Sequence, residues 1–147
     1  MANAPPTPGS HRRAPLHFWA VGILSLLWNV WGAYIALSAQ SGRLPTLRAE
    51  GQAYFDAQPL WLVIAVDAAL LAGIAGSVAL LLQHRAATRL YAAMFVVIAL
   101  ANVYEAAIGT SPIVDGRASP AGSLALLAIM ALQAVYAARM RRRGLLE

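Results

Sequence analysis

The sequence predicts an all-α integral membrane protein, a four-helix bundle with a short extracytoplasmic helix between spans 1 and 2. Composition is the first reason, because 60% of the 147 residues are hydrophobic and only 12% are charged, as in multi-pass membrane proteins. The second reason is that the apolar residues form four long runs separated by short polar segments. This pattern leaves no room for a soluble catalytic domain.

The four apolar runs are long enough to cross a bilayer as helices. The predicted spans are residues 16–37, 60–82, 90–108 and 120–138. The second is the clearest, since it reaches roughly 34 Å as a helix. Residues 42–59 are too polar to span and predict the short interfacial helix. We expect residues 1–15 to form a flexible basic tail and residues 139–147 to form an Arg-rich one.

The distribution of arginine predicts the orientation of the spans. All 11 basic residues are Arg, and most of them flank apolar segments. Eight lie on the side of the two termini and three on the other. By the positive-inside rule both termini are cytoplasmic. The same placement explains the net charge of +5 without a nucleic-acid partner.

Several kinds of chemistry are excluded or disfavoured. The chain has no Cys, which excludes disulfides, thiol relays and cysteine metal sites. Its three His residues do not supply two facing ligands inside the bundle for a haem. No phosphate loop, nucleophile elbow or paired metal-ligand spacing is visible. We therefore expect no enzyme activity, no metal and no cofactor.

Four polar residues inside the predicted spans form the candidate site. They are Asn29, Asp67, Asn102 and Glu105. Counted from the predicted outer ends of the spans, they lie roughly 12, 10, 9 and 5 Å deep. Intramembrane carboxylates often serve a function, so one reading is a small-ligand or proton site that opens to the outer face. The other is hydrogen bonding that fixes helix register, with Asp67 or Glu105 neutral or held by an outer-loop Arg.

Small residues predict where helices pack, because they let two backbones approach closely. The packing candidates are Gly22, Gly32, Gly73, Gly76 and Ser77. On the second span the small residues form two ridges, and Asp67 projects roughly opposite them. This helix therefore has two surfaces that need a packing partner. One can pack within the bundle, and the other suggests contact with a second copy of the chain in a homo-oligomer. Met130 and Gln133 on the fourth span are assigned to packing.

Short sequence motifs suggest a relationship. They are Leu26-Leu27-Trp28-Asn29, then Tyr54-Phe55 before Pro59-Leu60-Trp61, and Gly76-Ser77 followed by Leu80-Leu81-Leu82. With these motifs the chain, from about His17 to Gly109, resembles a group of small four-span bacterial inner-membrane proteins of uncharacterised function, often labelled "sugar transporter". The resemblance implies the fold and the bacterial inner membrane as compartment, and it carries no active site with it.

Two classes of function stay open. The first is an integral membrane protein with a binding or accessory role, whose partner is the lipid bilayer. The alternative is a small transporter of a sugar or a proton-coupled solute that works as an oligomer, since four helices alone rarely enclose a path. An enzyme ranks third because no catalytic constellation is visible.

Overall fold

The computed structural model describes residues 14–45, 49–108, 113–114, 117–118 and 120–146. In these ranges it has helices α1 Leu16–Gln40, α2 Ala49–Asp56, α3 Leu60–Leu81, α4 Ala86–Ala107 and α5 Pro120–Arg142, and strands β1 Ile113–Val114 and β2 Arg117–Ala118. The two strands pair antiparallel, with Ile113 opposite Ala118. Most of the predicted N-terminal tail, residues 1–13, lies outside the described part.

Helices α1, α3, α4 and α5 are each long and apolar enough to cross a membrane. Their outward side chains are large and apolar. Leu24 is 66% exposed, Leu71 64% and Leu132 68%, which suits contact with lipid chains rather than with water. Trp61, in the first turn of α3, is exposed close to the predicted outer interface, where aromatic belts lie. The chain is a multi-pass membrane protein.

The four long helices pack in the order of the sequence. Helix α3 packs against α1 and α4, and α5 packs against α4, whereas α1 and α5 do not pack closely on each other. Asn29 of α1 and Tyr91 of α4 both contact Ser77 of α3. This arrangement confirms the predicted all-α four-helix bundle. The short helix between the first two spans is α2.

The bundle interior combines a few large side chains with small ones. Phe18, Leu80, Tyr91 and Met94 are fully buried. Close approach between helices occurs at three of the predicted packing glycines. A side chain at Gly22 would meet Leu81, one at Gly73 would meet Met94 and Asn29, and one at Gly76 would meet Tyr91.

Gly32 makes no packing contact within the described part of the chain. A Cβ built there has no atom of the described residues within 4 Å, which corrects the prediction from its spacing. The reason is that the buried face of α1 follows Gly22, Ser25, Asn29 and Ala33, so Gly32 lies beside this face. The ridges of α3 at Gly73 and Gly76 make their contacts inside one chain, and they no longer motivate a homo-oligomer.

The ends of the helices differ from the predicted limits of the spans. Helix α1 continues to Gln40 and turns at Gly42 with a φ of 67°. Helix α4 begins at Ala86, four residues before the predicted third span. Because helices continue beyond the hydrocarbon region, these ends do not mark the edges of the bilayer. The span limits therefore stay predictions.

The Arg-rich C-terminal segment is ordered rather than flexible. Helix α5 continues to Arg142, and Gly144 takes a left-handed φ of 72°. The amide of Leu145 donates to the Met140 carbonyl at 3.1 Å, as in the helix-ending motif that glycine favours. The chain turns back, and Leu145 and Leu146 become buried against the core. These two apolar residues explain why the expectation of a flexible tail was wrong.

Candidate functional site

The four predicted polar residues do not meet in one layer. Asn29 contacts Ser77, four residues before the C-terminal end of α3, whereas Asp67 contacts Gln40 at the end of α1. Ser77 and Asp67 are ten residues apart, or about 15 Å along α3. The depth of Asn29 was counted from Leu37, but α1 continues to Gln40 and is offset along its axis against α3. This offset separates the two side chains.

Asn29 belongs to a buried hydrogen-bond network in the centre of the bundle. Ser77 Oγ accepts from Tyr91 Oη at 2.9 Å and from Asn29 Nδ2 at 3.2 Å, and it donates to the Gly73 carbonyl at 2.9 Å. Asn29 Nδ2 also donates to the Ser25 carbonyl at 2.8 Å. Ser77 Oγ thus uses its donor and both lone pairs. This network fixes the register of three helices.

Glu105 links α2 and the residues after it to the C-terminal end of α4 through hydrogen bonds. Its carboxylate is buried, and Oε1 accepts from Tyr54 Oη and, at 3.2 Å, from Gln58 Nε2. Burial, followed by the hydrogen bond and the charge of Glu105, raises the pKa of Tyr54 above its ordinary value. Tyr54 therefore stays protonated, and a donor, throughout the neutral range. Arg48 and the side chain of Arg117, two of the three outer-loop arginines, lie outside the described residues.

Asp67 and Asn102 make local contacts near the same end of the bundle. Asp67 is half-buried, and its Oδ1 accepts from Gln40 Nε2 at 3.0 Å. Asn102 is half-buried too, and its Nδ2 donates to the Ile98 carbonyl of its own helix at 2.8 Å. The hydrogen bonds of the two side chains involve different partners. The described geometry therefore does not join them in one binding site.

A groove of about 450 Å³ lies between α1 and α5, the two helices that do not pack closely. Its walls come from these helices alone. The lining residues are Val21, Leu24, Ser25, Trp28, Ile129, Leu132, Gln133, Val135, Tyr136 and Arg139. Most of them are apolar. The polar ones on α5 follow each other at a spacing of three residues and therefore lie near one another along the helix.

Two polar atoms in this groove lack a hydrogen-bond partner among the described residues. They are Gln133 Oε1 and Tyr136 Oη, and both are buried. Only 8% of Gln133 is exposed. A buried polar atom without a partner costs about 1 to 3 kcal/mol. These two atoms therefore differ from Ser77 Oγ, whose donor and both lone pairs are used in hydrogen bonds. This makes the α1–α5 groove the best candidate site of the described part of the chain.

No family model, curated protein or solved structure matches the chain. Among the described residues no group of three His, Asp or Glu side chains is placed to hold a metal ion. The expectations of no cofactor and no enzyme activity stay predictions.

Sequence reasoning missed the α1–α5 groove. Gln133 was assigned to packing, and Arg139 was counted only as a topology signal, while Tyr136 was not singled out. The available signal was the regular spacing of Gln133, Tyr136 and Arg139, which places three polar groups along one side of a helix. That signal becomes meaningful only once α1 and α5 are known to leave a gap.

Proposed function

We propose that this membrane protein has a binding role and that its ligand is an amphipathic molecule in the α1–α5 groove. The observation that carries the proposal is the buried, unpartnered Gln133 Oε1 in a groove that is otherwise mostly apolar. A ligand with an apolar body and a polar end would satisfy both surfaces. Such a ligand reaches the groove from the lipid phase.

The size and lining of the groove support this proposal. Ligand sites commonly have volumes of about 300 to 1,000 Å³ and are lined by apolar and aromatic side chains with a few placed polar groups. The groove has about 450 Å³, with Leu24, Trp28 and Leu132 as apolar surface and Gln133 and Tyr136 as polar groups. These features match a binding site for one modest ligand or for part of a longer one.

The alternative, a small oligomeric transporter of a sugar or a proton-coupled solute, ranks second. A transporter needs a route from one side of the membrane to the other. The walls of the groove come from α1 and α5 alone, so its geometry favours lateral binding over passage through the bundle.

Filling the groove tests the binding role. Val21 lines it, whereas Val30 is 47% exposed on the same helix and is not among the lining residues. We expect Val21→Trp to abolish retention of co-purified lipid, because the indole occupies the ligand volume. The matched Val30→Trp protein should retain lipid like the wild type. Native mass spectrometry of the detergent-purified proteins measures this retention, with melting temperatures as the check on folding. Equal retention by all three proteins would refute the proposal.

We also propose the bacterial inner membrane as the compartment, with both termini in the cytoplasm. The resemblance to small four-span proteins of that membrane and the arginine bias support this orientation. Ser41 is exposed directly after α1, on the predicted outer side. His84 is exposed shortly before α4, on the predicted cytoplasmic side. In intact cells an impermeant thiol reagent should label Ser41→Cys and not His84→Cys. Permeabilised cells should label both, and labelling of His84→Cys in intact cells would reverse the orientation.

A further inference from the structure

We infer that the ligand of the α1–α5 groove is an anionic glycerophospholipid whose phosphate binds Arg139. This inference rests on the proposed binding role. It names the class of ligand from the order in which apolar, polar and charged groups follow each other along the groove.

The α5 wall changes from apolar to charged in one direction. Ile129 and Leu132 come first, Gln133 and Tyr136 follow, and Arg139 lies at the far end. Ten residues separate Ile129 from Arg139, which is about 15 Å along the helix. A glycerophospholipid has the same order, with acyl chains, then ester oxygens and then a phosphate. The order of groups in the lipid therefore matches the order of side chains along the groove when the phosphate lies toward the Arg-rich end of α5.

Arg139 carries the only charge among the lining residues, all of which belong to the described part. It lies in the last turn of α5 together with Arg141 and Arg142. A guanidinium binds phosphate through two parallel hydrogen bonds, and basic pockets between membrane helices attract anionic headgroups. Charge complementarity thus favours an anionic headgroup over a zwitterionic one, whose own cation the neighbouring arginines repel.

The two unpartnered polar atoms lie between the apolar and charged ends. Tyr136 Oη can donate to an ester or phosphate oxygen. The amide of Gln133 has both an acceptor and donors, and rotation about its last bond exchanges the oxygen and nitrogen positions. Gln133 can therefore present a donor to an ester carbonyl. In this flipped orientation the ester oxygens of the lipid's glycerol region would accept from the Gln133 amide nitrogen, and an ester or phosphate oxygen would accept from Tyr136 Oη, which lacks a partner within the described chain.

The apolar half of the groove selects lipid over free phosphate. Leu24 and Leu132 offer no polar group to an inorganic anion, and they are 66% and 68% exposed toward lipid. An acyl chain covers these surfaces and continues into the bilayer. The occupant we propose is therefore a lipid of the leaflet at the Arg-rich end.

Trp28 provides a reporter for the test, because it lines the groove. Replacing Trp19, Trp31 and Trp61 with Phe leaves Trp28 as the only tryptophan. A second protein keeps only Trp31, which is 61% exposed and lies outside the groove, as the control for bulk lipid. Both are reconstituted in phosphatidylcholine vesicles with a minor fraction of phosphatidylglycerol or phosphatidylcholine that carries bromine on its acyl chains. Bromine quenches tryptophan fluorescence on contact.

We expect brominated phosphatidylglycerol to quench Trp28 more than Trp31, and more than brominated phosphatidylcholine does. Arg139→Gln should weaken this preference about fivefold, as expected for the loss of one arginine near a membrane surface. Arg139→Lys should keep most of it because the charge remains. Arg141→Gln, at an exposed position outside the groove, should have a much smaller effect.

The outcomes separate the inference from the proposed function. If both brominated lipids quench Trp28 equally and beyond Trp31, the groove binds lipid without selecting charge, and the inference fails while the binding role stands. If neither lipid quenches Trp28 beyond Trp31, both fail. Displacement of the brominated lipid by inorganic phosphate, or an Arg139→Gln protein with unchanged preference, would also overturn the inference.

Discussion

Replacing Gly73 with leucine should prevent the bundle from assembling. At Gly73 a Cβ would already overlap Met94 and Asn29, and Met94 is fully buried. The larger side chain must push α3 away from both neighbours. Overpacking of this kind costs about 3 kcal/mol. Circular dichroism melting and size-exclusion chromatography in detergent measure the loss of the folded protein.

The matched control is Gly32→Leu, which places the same side chain where a Cβ has no described atom within 4 Å. We expect this protein to melt like the wild type or slightly higher, since leucine favours helix more than glycine does. If the two variants melt alike, the close approach of α3 to its neighbours at Gly73 would be wrong.

Replacing Ser77 with alanine should destabilise the bundle by about 1 to 2 kcal/mol, in the range of membrane hydrogen bonds and of buried groups that lose a partner. Ser77 Oγ is the shared acceptor of Tyr91 and Asn29, so both donors lose a partner when it is removed. Unfolding in a denaturing detergent measures the change in free energy. Ser41→Ala is the control, because the Ser41 hydroxyl is exposed and contacts only the Ser38 carbonyl.

A double-mutant cycle shows whether the network acts as a unit. In the Ser77→Ala, Tyr91→Phe protein both partners of one hydrogen bond are absent, and no hydroxyl of Tyr91 remains unsatisfied. The combined loss should therefore be smaller than the sum of the two single losses. Strictly additive losses would show that Ser77 and Tyr91 do not interact in the folded protein.

The sequence was sufficient to predict the four-helix membrane fold and most of the packing glycines. Long apolar runs have few stable alternatives to helices in a bilayer, and small residues such as Gly22 and Gly73 indicate close approach. Gly32 was misassigned because the spacing of residues along a helix does not by itself distinguish the centre of the buried face from the edge of that face. Hydropathy also missed the ordered C-terminus, since Leu145 and Leu146 follow a run of arginines.

The candidate site was harder to predict. Depth counted along each helix assumes that all spans begin at one level, and the pairing of Gln40 with Asp67 shows that α1 and α3 are offset. The sequence likewise does not indicate which helices do not pack closely. The groove exists because α1 and α5 do not pack closely, and no property of Gln133 or Tyr136 taken alone predicts that gap.

The packing of the four helices in sequence order, without close contact between the first and the last, has a mechanical consequence. In such a bundle each long helix packs against its neighbour in the sequence, and the four helices do not form a closed ring. The gap between α1 and α5 is an open seam. Helices α3 and α4 form its spine, since each packs against two others. A small rotation of α1 about this spine would widen or narrow the seam while the α3–α4 pair stays intact. Such a rotation would change the width of the groove, and a ligand bound there as proposed would act as a wedge that sets the angle between the outer helices.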